Sequence, residues 1–359
     1  MATTNLKFRH VVIDADPPGS EHDITLIGDI NGDGRPEIVI GGKKGPPNLF
    51  WYENPSWRRH DMADAPHLEA GGLLWDVNGN GRLDVVAGQE INHHELYWFE
   101  NPPDPTRPWK KHLIENRFNK YHDQAVGDID GDGEAELVFV SQKAGVLAYY
   151  DIPANPCVEP WPAACFHLIA EHLDFKLEGL RVVDLDGSGR PAILLGPNIY
   201  RRRSDDRWEV ESFAPGFVMT RTAVGDLLGT GAVDIVLSEG ESNPGRLAIC
   251  SLPGREPRIL CDNLFHPHSL EVADFDGDGR PDIFVAEMGL GKNPDPRMLI
   301  YLNRGNGRFE EVFVQRGIPT HEAKVADING DGKPDIVGKP YSPERHIDVW
   351  FNETSGTTA

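Results

Sequence analysis

The chain has 359 residues, a formal net charge of −22 and 39% hydrophobic residues, with 38 glycines and 29 prolines. That length suffices for a large core, and no apolar run approaches the ~20 residues of a membrane-crossing helix. The acidic balance argues against nucleic acid or anionic lipid as partner, while the glycine and proline content suits a turn-rich, all-β protein.

In chain order, the first element is Phe8–Ile13, a short alternating run that reads as a strand. Next comes an apolar run, Ile24–Ile27, then the turn Asp29-Ile-Asn-Gly-Asp-Gly-Arg-Pro-Glu37, then a second apolar run at Ile38–Ile40. A third, aromatic strand follows at Leu49–Tyr52, and a fourth at Trp57–His60. This unit recurs. The nine-residue turn returns at Asp76–Asp84, Asp128–Glu136, Asp274–Asp282 and Asp327–Asp335, with decayed copies at Asp184–Ala192 and Asp226–Asp234. Spacings run from 42 residues (Asp184 to Asp226) to 56 (Asp128 to Asp184), a period that signals a repeat architecture. Four strands per unit describe the blade of a β-propeller. The last unit stops after its third strand at Phe351, and Phe8–Ile13 supplies the missing fourth. The expected fold is therefore all-β. It is a seven-bladed β-propeller with four antiparallel strands per blade, closed by the N-terminal strand, which leaves no open edge. It forms one domain over 1–359, with blades near 22–66, 67–121, 122–175, 176–219, 220–267, 268–320, and 321–353 plus 7–16.

The turn also carries chemistry. Its alternate carboxylates and amides converge inside the curl, as a hard cation such as Ca2+ requires. The ligand sets are Asp29, Asn31, Asp33 and Glu37; Asp76, Asn78, Asn80 and Asp84; Asp128, Asp130, Asp132 and Glu136; Asp274, Asp276, Asp278 and Asp282; and Asp327, Asn329, Asp331 and Asp335. An EF-hand would place its last carboxylate at position 12 between helices; here it falls at position 9 between strands. A single such loop could be a plain turn, but five near-complete copies in register point to about five structural Ca2+ sites. The copies at Asp184 and Asp226 lack the last ligand (Ala192) or the middle ones (Leu228, Thr230) and are expected to be weak or empty.

These loops and flanking strands resemble the FG-GAP/VCBS repeat family of seven-bladed propellers, related in blade design to the integrin α-subunit head. The resemblance covers nearly the whole chain. It implies the fold and Ca2+, but not the activity, because such folds host lectins, adhesion modules and sugar lyases alike.

Cys157 with Cys165, and Cys250 with Cys261, flank equivalent turns and could each bridge a hairpin or remain reduced. The start, Met1–Lys7, has no apolar leader core. The protein is expected to be cytoplasmic if complete, or secreted if a leader has been removed.

With the cation loops on one face, the loops entering strand one and leaving strand two open on the other. The entering loops repeat histidine at His22, His67, His122, His268 and His321, with Arg221 near the same point. The exiting loops add His93, His94, Glu287, Lys339 and Tyr341. A residue repeated in most blades serves scaffolding as readily as chemistry, and the fourth-strand histidines His10, His60, His112 and His167 read as scaffold. Residues that break the repeat, namely His93, His94, His266 and Arg221, are better ligand candidates.

One reading is a carbohydrate lyase or dehydratase acting by β-elimination on an oligo- or polysaccharide or a keto-sugar. Weaker resemblance to aldos-2-ulose dehydratase and rhamnose–glucuronate lyases supports it. Its catalytic set would be His122, His268 or His321 as base or metal ligand, Arg221 or Lys339 as neutraliser and Tyr341 as proton donor. His22, His67, His93, His94, His266 and Glu287 could hold ligand or a further divalent metal. The alternative is a non-catalytic, lectin- or adhesion-like propeller that binds carbohydrate or protein. Nucleophile elbows, zincin helices, Walker loops and dinucleotide fingerprints are absent from the sequence.

Overall fold

The computed structural model describes residues 6–204, 207–254 and 256–355. Part of the N-terminal stretch read for a leader, Met1–Asn5, lies outside them. β1 (Phe8–Asp14) is followed by β2 (Ser20–Gly28), β3 (Glu37–Lys44), β4 (Leu49–Glu53) and β5 (Arg58–Ala63), which form blade 1. Blade 2 holds β6 (Leu73–Trp75), β7 (Asp84–Gly88), β8 (Leu96–Glu100) and β9 (Lys110–Glu115). Blade 3 holds β10 (Tyr121–Gly127), β11 (Glu136–Ser141), β12 (Val146–Tyr150) and β13 (Phe166–Ala170). Blade 4 holds β14 (Leu180–Val183), β15 (Ala192–Leu195), β16 (Asn198–Arg202) and β17 (Trp208–Ser212). Blade 5 holds β18 (Thr220–Gly225), β19 (Asp234–Glu239), β20 (Gly245–Ser251) and β21 (Arg258–Leu264). Blade 6 holds β22 (Ser269–Ala273), β23 (Asp282–Ala286), β24 (Arg297–Asn303) and β25 (Phe309–Arg316). Blade 7 is β26 (Lys324–Ala326), β27 (Asp335–Gly338) and β28 (Ile347–Asn352), with β1 as its fourth strand. The pairing His10↔Trp350 sets that register. The protein is thus a seven-bladed, all-β propeller of four-stranded antiparallel blades. Among the described residues, no helix is long and apolar enough to cross a membrane.

The chain forms two compact units. Glu21–Val218 carries blades 1–4, and Met1–Ser20 with Met219–Ala359 carries blades 5–7. In the first, second- and third-strand residues such as Val39, Trp51, Val85 and Phe99 bury completely between neighbouring sheets. In the second, Phe284, Ile300, Ile336 and Trp350 do the same. Sheets pack closely because glycine stands where they meet: a Cβ on Gly88 would lie 2.2 Å from Cβ of Tyr121.

The fourth-strand histidines are scaffold. His60 stacks on Trp51 at 4.4 Å, His112 on Trp98 at 4.3 Å, His167 on Tyr149 at 4.6 Å and His10 on Trp350 at 4.8 Å. Each also places Nε2 against a carboxylate, of Glu53, Glu100, Asp151 and Asp348 respectively, at 2.7–3.1 Å. All four cysteines are free thiols, so neither candidate bridge forms.

An asparagine after the third strand ties successive blades together. The Asn101 amide donates to the Ile30 carbonyl of the preceding blade at 2.9 Å and to Leu83 at 3.1 Å. Asn303 and Asn352 repeat the link, to Leu227 and Phe275. Replacing Asn101 with Ala leaves a buried carbonyl unpaired. The variant is expected to lose about 1–3 kcal/mol in chemical denaturation; a loss under about 0.5 kcal/mol would mean the link is not structural.

Candidate functional site

The nine-residue loops build from both ends. The first Asp caps the curl: Asp29 accepts from the N–H groups of Gly32 (2.7 Å), Asp33 (3.1 Å) and Gly34 (3.0 Å). Glycine is needed inside the curl; Gly277 and Gly279 adopt φ of +70° and +85°. The last carboxylate folds back. Asp282 accepts from Phe275 N–H at 2.9 Å and from Asn303 N–H at 2.7 Å, and Asp84 and Asp335 do the same in blades 2 and 7. Burial pushes Glu37, Asp84, Glu136 and Asp282 up to about 7 each, and neighbouring loop carboxylates add to the rise.

The blade 5 loop separates turn from cation site. Asp226 still accepts from Thr230 and Gly231, and Asp234 from Leu228, so the hairpin closes although Leu228 and Thr230 cannot ligate. Positions 1 and 9 therefore suffice to close the turn, without a carboxylate or amide at positions 3 and 5. Asp128, Asp130 and Glu136 bring carboxylate oxygens within 4.8 Å of one another, as do Asp274, Asp276 and Asp282. In the latter, Asp276 Oδ2 pairs with Arg304 at 2.7 Å, while Oδ1 is buried with no hydrogen-bond partner. An orphaned carboxylate oxygen beside two further carboxylates fits a hard divalent cation.

In the unit of blades 1–4, charged groups interlock at the entry ends of the first strands. Lys43 Nζ lies 2.7 Å from Asp23, 3.3 Å from Glu69 and 3.8 Å from Glu90. His122 is clamped, with Nδ1 3.1 Å from Asp123 and Nε2 3.1 Å from Glu178. Burial alone would lower its pKa, but Asp123 and Glu178 outweigh it and raise it to about 9. Burial opposes ionisation of Glu69, yet Lys43, Lys120 and His122 hold it down at about 2. With both ring nitrogens engaged and the proton retained, His122 suits a fixed cation better than a general base at neutral pH.

The unit of blades 5–7 gathers the other five catalytic candidates. His268 and His321 stack at 4.3 Å, and Tyr341 sits 5.2 Å from His321. Lys339 Nζ is 3.5 Å from His321 Nδ1 and donates to the His321 carbonyl at 3.1 Å. Glu322 Oε1 is 2.7 Å from Arg221 and 3.2 Å from His268 Nδ1, while His268 Nε2 is 3.4 Å from Glu241. Burial works against the Glu322 charge, but Arg221, Lys324 and His268 hold it well below the ordinary carboxylate range.

The remaining candidates scatter. His22 is buried edge-on against Phe50 at 5.9 Å. His94 is exposed. Glu287 is spent on its own loop, accepting from Arg297 and from Phe265 N–H. His266 approaches Glu241 only to 3.8 Å. His67 and His93 meet each other with Glu90. His22, His122 and Arg221 lie within the first strands rather than in loops, because those strands begin earlier than the apolar runs suggest. Sequence reasoning missed Asp23, Glu69, Asp123 and Glu322. Each lies five to seven residues before a loop's first Asp, so counting back from the turn would have found them.

Two stretches, residues 76–139 and 274–338, match a family described as FG-GAP-like repeat. No curated protein matches the chain in sequence. Among solved structures, a streptogramin B lyase aligns with a TM-score of 0.61 at 11% identity, over 96% of this chain and 98% of that one. BBS1N, solved in complex with ARL6DN, aligns with a TM-score of 0.58 at 10% identity, over 100% and 99%. At such identities the likeness is one of fold.

The His122 clamp predicts a pH dependence. Its folded pKa of about 9 exceeds the ordinary 6.5, so its contribution is complete below pH 6.5 and is lost as pH rises through 9. Unfolding free energy of the wild type should fall across that window relative to His122→Gln. Parallel profiles would show that His122 does not titrate there.

Proposed function

The chain is an FG-GAP-repeat β-propeller, and from that premise we propose a cation-stabilised, carbohydrate-active lyase or dehydratase working by β-elimination. The observation that carries this reading is the convergence of His268, His321, Arg221, Lys339 and Tyr341, drawn from blades 5, 6 and 7, within one unit. The substrate class would be a uronate-containing oligo- or polysaccharide, or a keto-sugar.

The roles follow from position. Glu322 lies beside Nδ1 of the His268 ring, and Nε2, which Glu241 approaches only to 3.4 Å, is the nitrogen that would act as general base once Glu241 turns away from it. His268 would take the carbon-bound proton next to the substrate carboxylate or carbonyl. Arg221 would neutralise the enolate that the C–H electron pair forms. As that pair collapses into the new C=C bond, the 4-oxygen leaves and takes a proton from Tyr341, which is half-buried. Lys339 holds His321 against His268.

A second reading, a non-catalytic carbohydrate- or protein-binding propeller, is favoured by one observation. His268, Glu322 and Lys339 are 1%, 2% and 0% exposed, which leaves a substrate little access to them. Near-ultraviolet absorbance of Ca2+-loaded protein with uronate polysaccharides and keto-sugars separates the two. β-Elimination is expected to raise absorbance with one substrate class, and His268→Ala to slow it roughly 10²–10⁴-fold. Unchanged turnover in that variant would sink the assignment of the base. A flat panel with calorimetric binding of the same sugars would favour the binding module.

Ca2+ is assigned to the loops of blades 1, 2, 3, 6 and 7, where it would offset crowded, half-neutralised carboxylates and so stabilise the hairpins. Excess chelator is expected to lower the melting temperature and added Ca2+ to restore it. Asp130→Ala and Asp276→Ala should each remove one site from the Ca2+ stoichiometry, and Thr230→Ala none. An unchanged melt after confirmed metal removal would refute the structural role.

A further inference from the structure

We propose that His67, Glu90 and His93 form a binding site for a borderline divalent transition metal such as Zn2+, on residues other than those of the acidic loops and of the site proposed above. The site lies in the unit of blades 1–4. His67 Nδ1 is 3.0 Å from Glu90 Oε1, and the His67 and His93 rings stack at 3.7 Å with 12° between their planes; an imidazole binds a metal in its own plane, so the His93 ring would turn out of this stack to reach an ion held by His67 and Glu90. One donor atom from each of the three residues lies within 4.8 Å of the others.

The backbone holds these side chains in place. His67 has φ of +68°, a left-handed conformation uncommon for residues other than glycine, and the neighbouring chain keeps it there. Its N–H donates to the Lys43 carbonyl at 2.8 Å, and its carbonyl accepts from Glu90 N–H at 2.8 Å. The Gln89 amide donates to the Pro66 carbonyl at 3.0 Å, and His93 N–H to the Glu90 carbonyl at 2.9 Å. The strained residue, the carboxylate and the second histidine therefore belong to one hydrogen-bonded patch. The same conformation and carbonyl link recur at Lys120 and His266, and the N–H link at His266, so the blade entry itself supplies the rigid frame on which His67, Glu90 and His93 are set.

Donor chemistry sets the ion. Two imidazole nitrogens and one carboxylate oxygen suit Zn2+, Co2+, Ni2+ or Cu2+, whereas Ca2+ prefers an all-oxygen set like that of the loops. Three protein ligands leave a fourth tetrahedral position for water or a ligand group. Lys43 lies 3.8 Å from Glu90 Oε2 and steadies the carboxylate from behind. The His67 and Glu90 side chains are 37% and 26% exposed, so an ion can enter and exchange.

The test uses the full, untagged chain with its acidic loops saturated by Ca2+. Calorimetry with Zn2+ is expected to show one site that excess Ca2+ does not displace, and Co2+ to give the visible absorption of a four-coordinate centre. His93→Gln and His67→Asn should each weaken Zn2+ binding more than tenfold with the melting temperature retained; Asn tolerates the left-handed conformation. If His67→Asn does not fold, His93→Gln with Glu90→Gln carries the test. Absence of saturable Zn2+ binding, displacement by Ca2+, or full affinity in the folded variants would overturn the proposal.

Discussion

The buried carboxylate that closes each intact hairpin is the contact on which the architecture depends. Asp84, Asp282 and Asp335 each take an N–H from their own loop and another from the asparagine that ends the third strand. That asparagine spends its side chain on the preceding blade. One residue type at one position thus fixes the turn within a blade and the joint between blades. The arrangement is costly, because burial drives the acid at this position up to about 7 in blades 1, 2, 3 and 6. Two backbone donors offset part of that cost. A cation in the loop would offset more, which gives the acidic repeat a physical reason beyond making a turn.

Most of the fold was legible because its signals are local and repeated. A two-residue period names a strand, Asp-x-Asn-Gly-Asp-Gly names the curl, and the unpaired Phe8–Ile13 run names its partner across the whole chain. The fourth-strand histidines were legible for the same reason. Each sits on an aromatic ring from the strand before it, and the pattern recurs with the repeat.

The candidate sites were legible only in part. Histidine repeats in the entry segments and stands out in a sequence. Its partners vary: Asp123 and Glu178 around His122, Glu322 and Glu241 around His268, Glu90 beside His67. The entry acids Asp123, Glu178 and Glu322 keep a spacing of five or six residues before the turn, but Glu90 and Glu241 come from exit loops and follow no such rule. Without them the histidines look alike. With them, the two differ in how tightly they are held: carboxylates stand 3.1 Å from both nitrogens of His122, whereas Glu241 stays 3.4 Å from Nε2 of His268. Glu287 moved the other way: an acid in an exit loop suggests a ligand, but Arg297 and Phe265 N–H consume it.

This contrast bears on whether the entry residues are scaffold. Scaffold positions repeat their partner along with the residue, as the fourth-strand histidines do with stacked ring and carboxylate. The entry positions repeat histidine, at His22, His67, His122, His268 and His321, but not its partners. Beside them, Asp23, Glu69, Glu178, Arg221 and Glu322 stand five to seven residues before the first Asp of their loops, at no single register position. A fold that needed only packing there could use small apolar residues in every blade, with no desolvation of charge to offset. Within each unit the ionisable entry groups follow their local ion pairs, Lys43 with Asp23 and Glu69 in one and Arg221 with Glu322 and His268 in the other, and not the repeat.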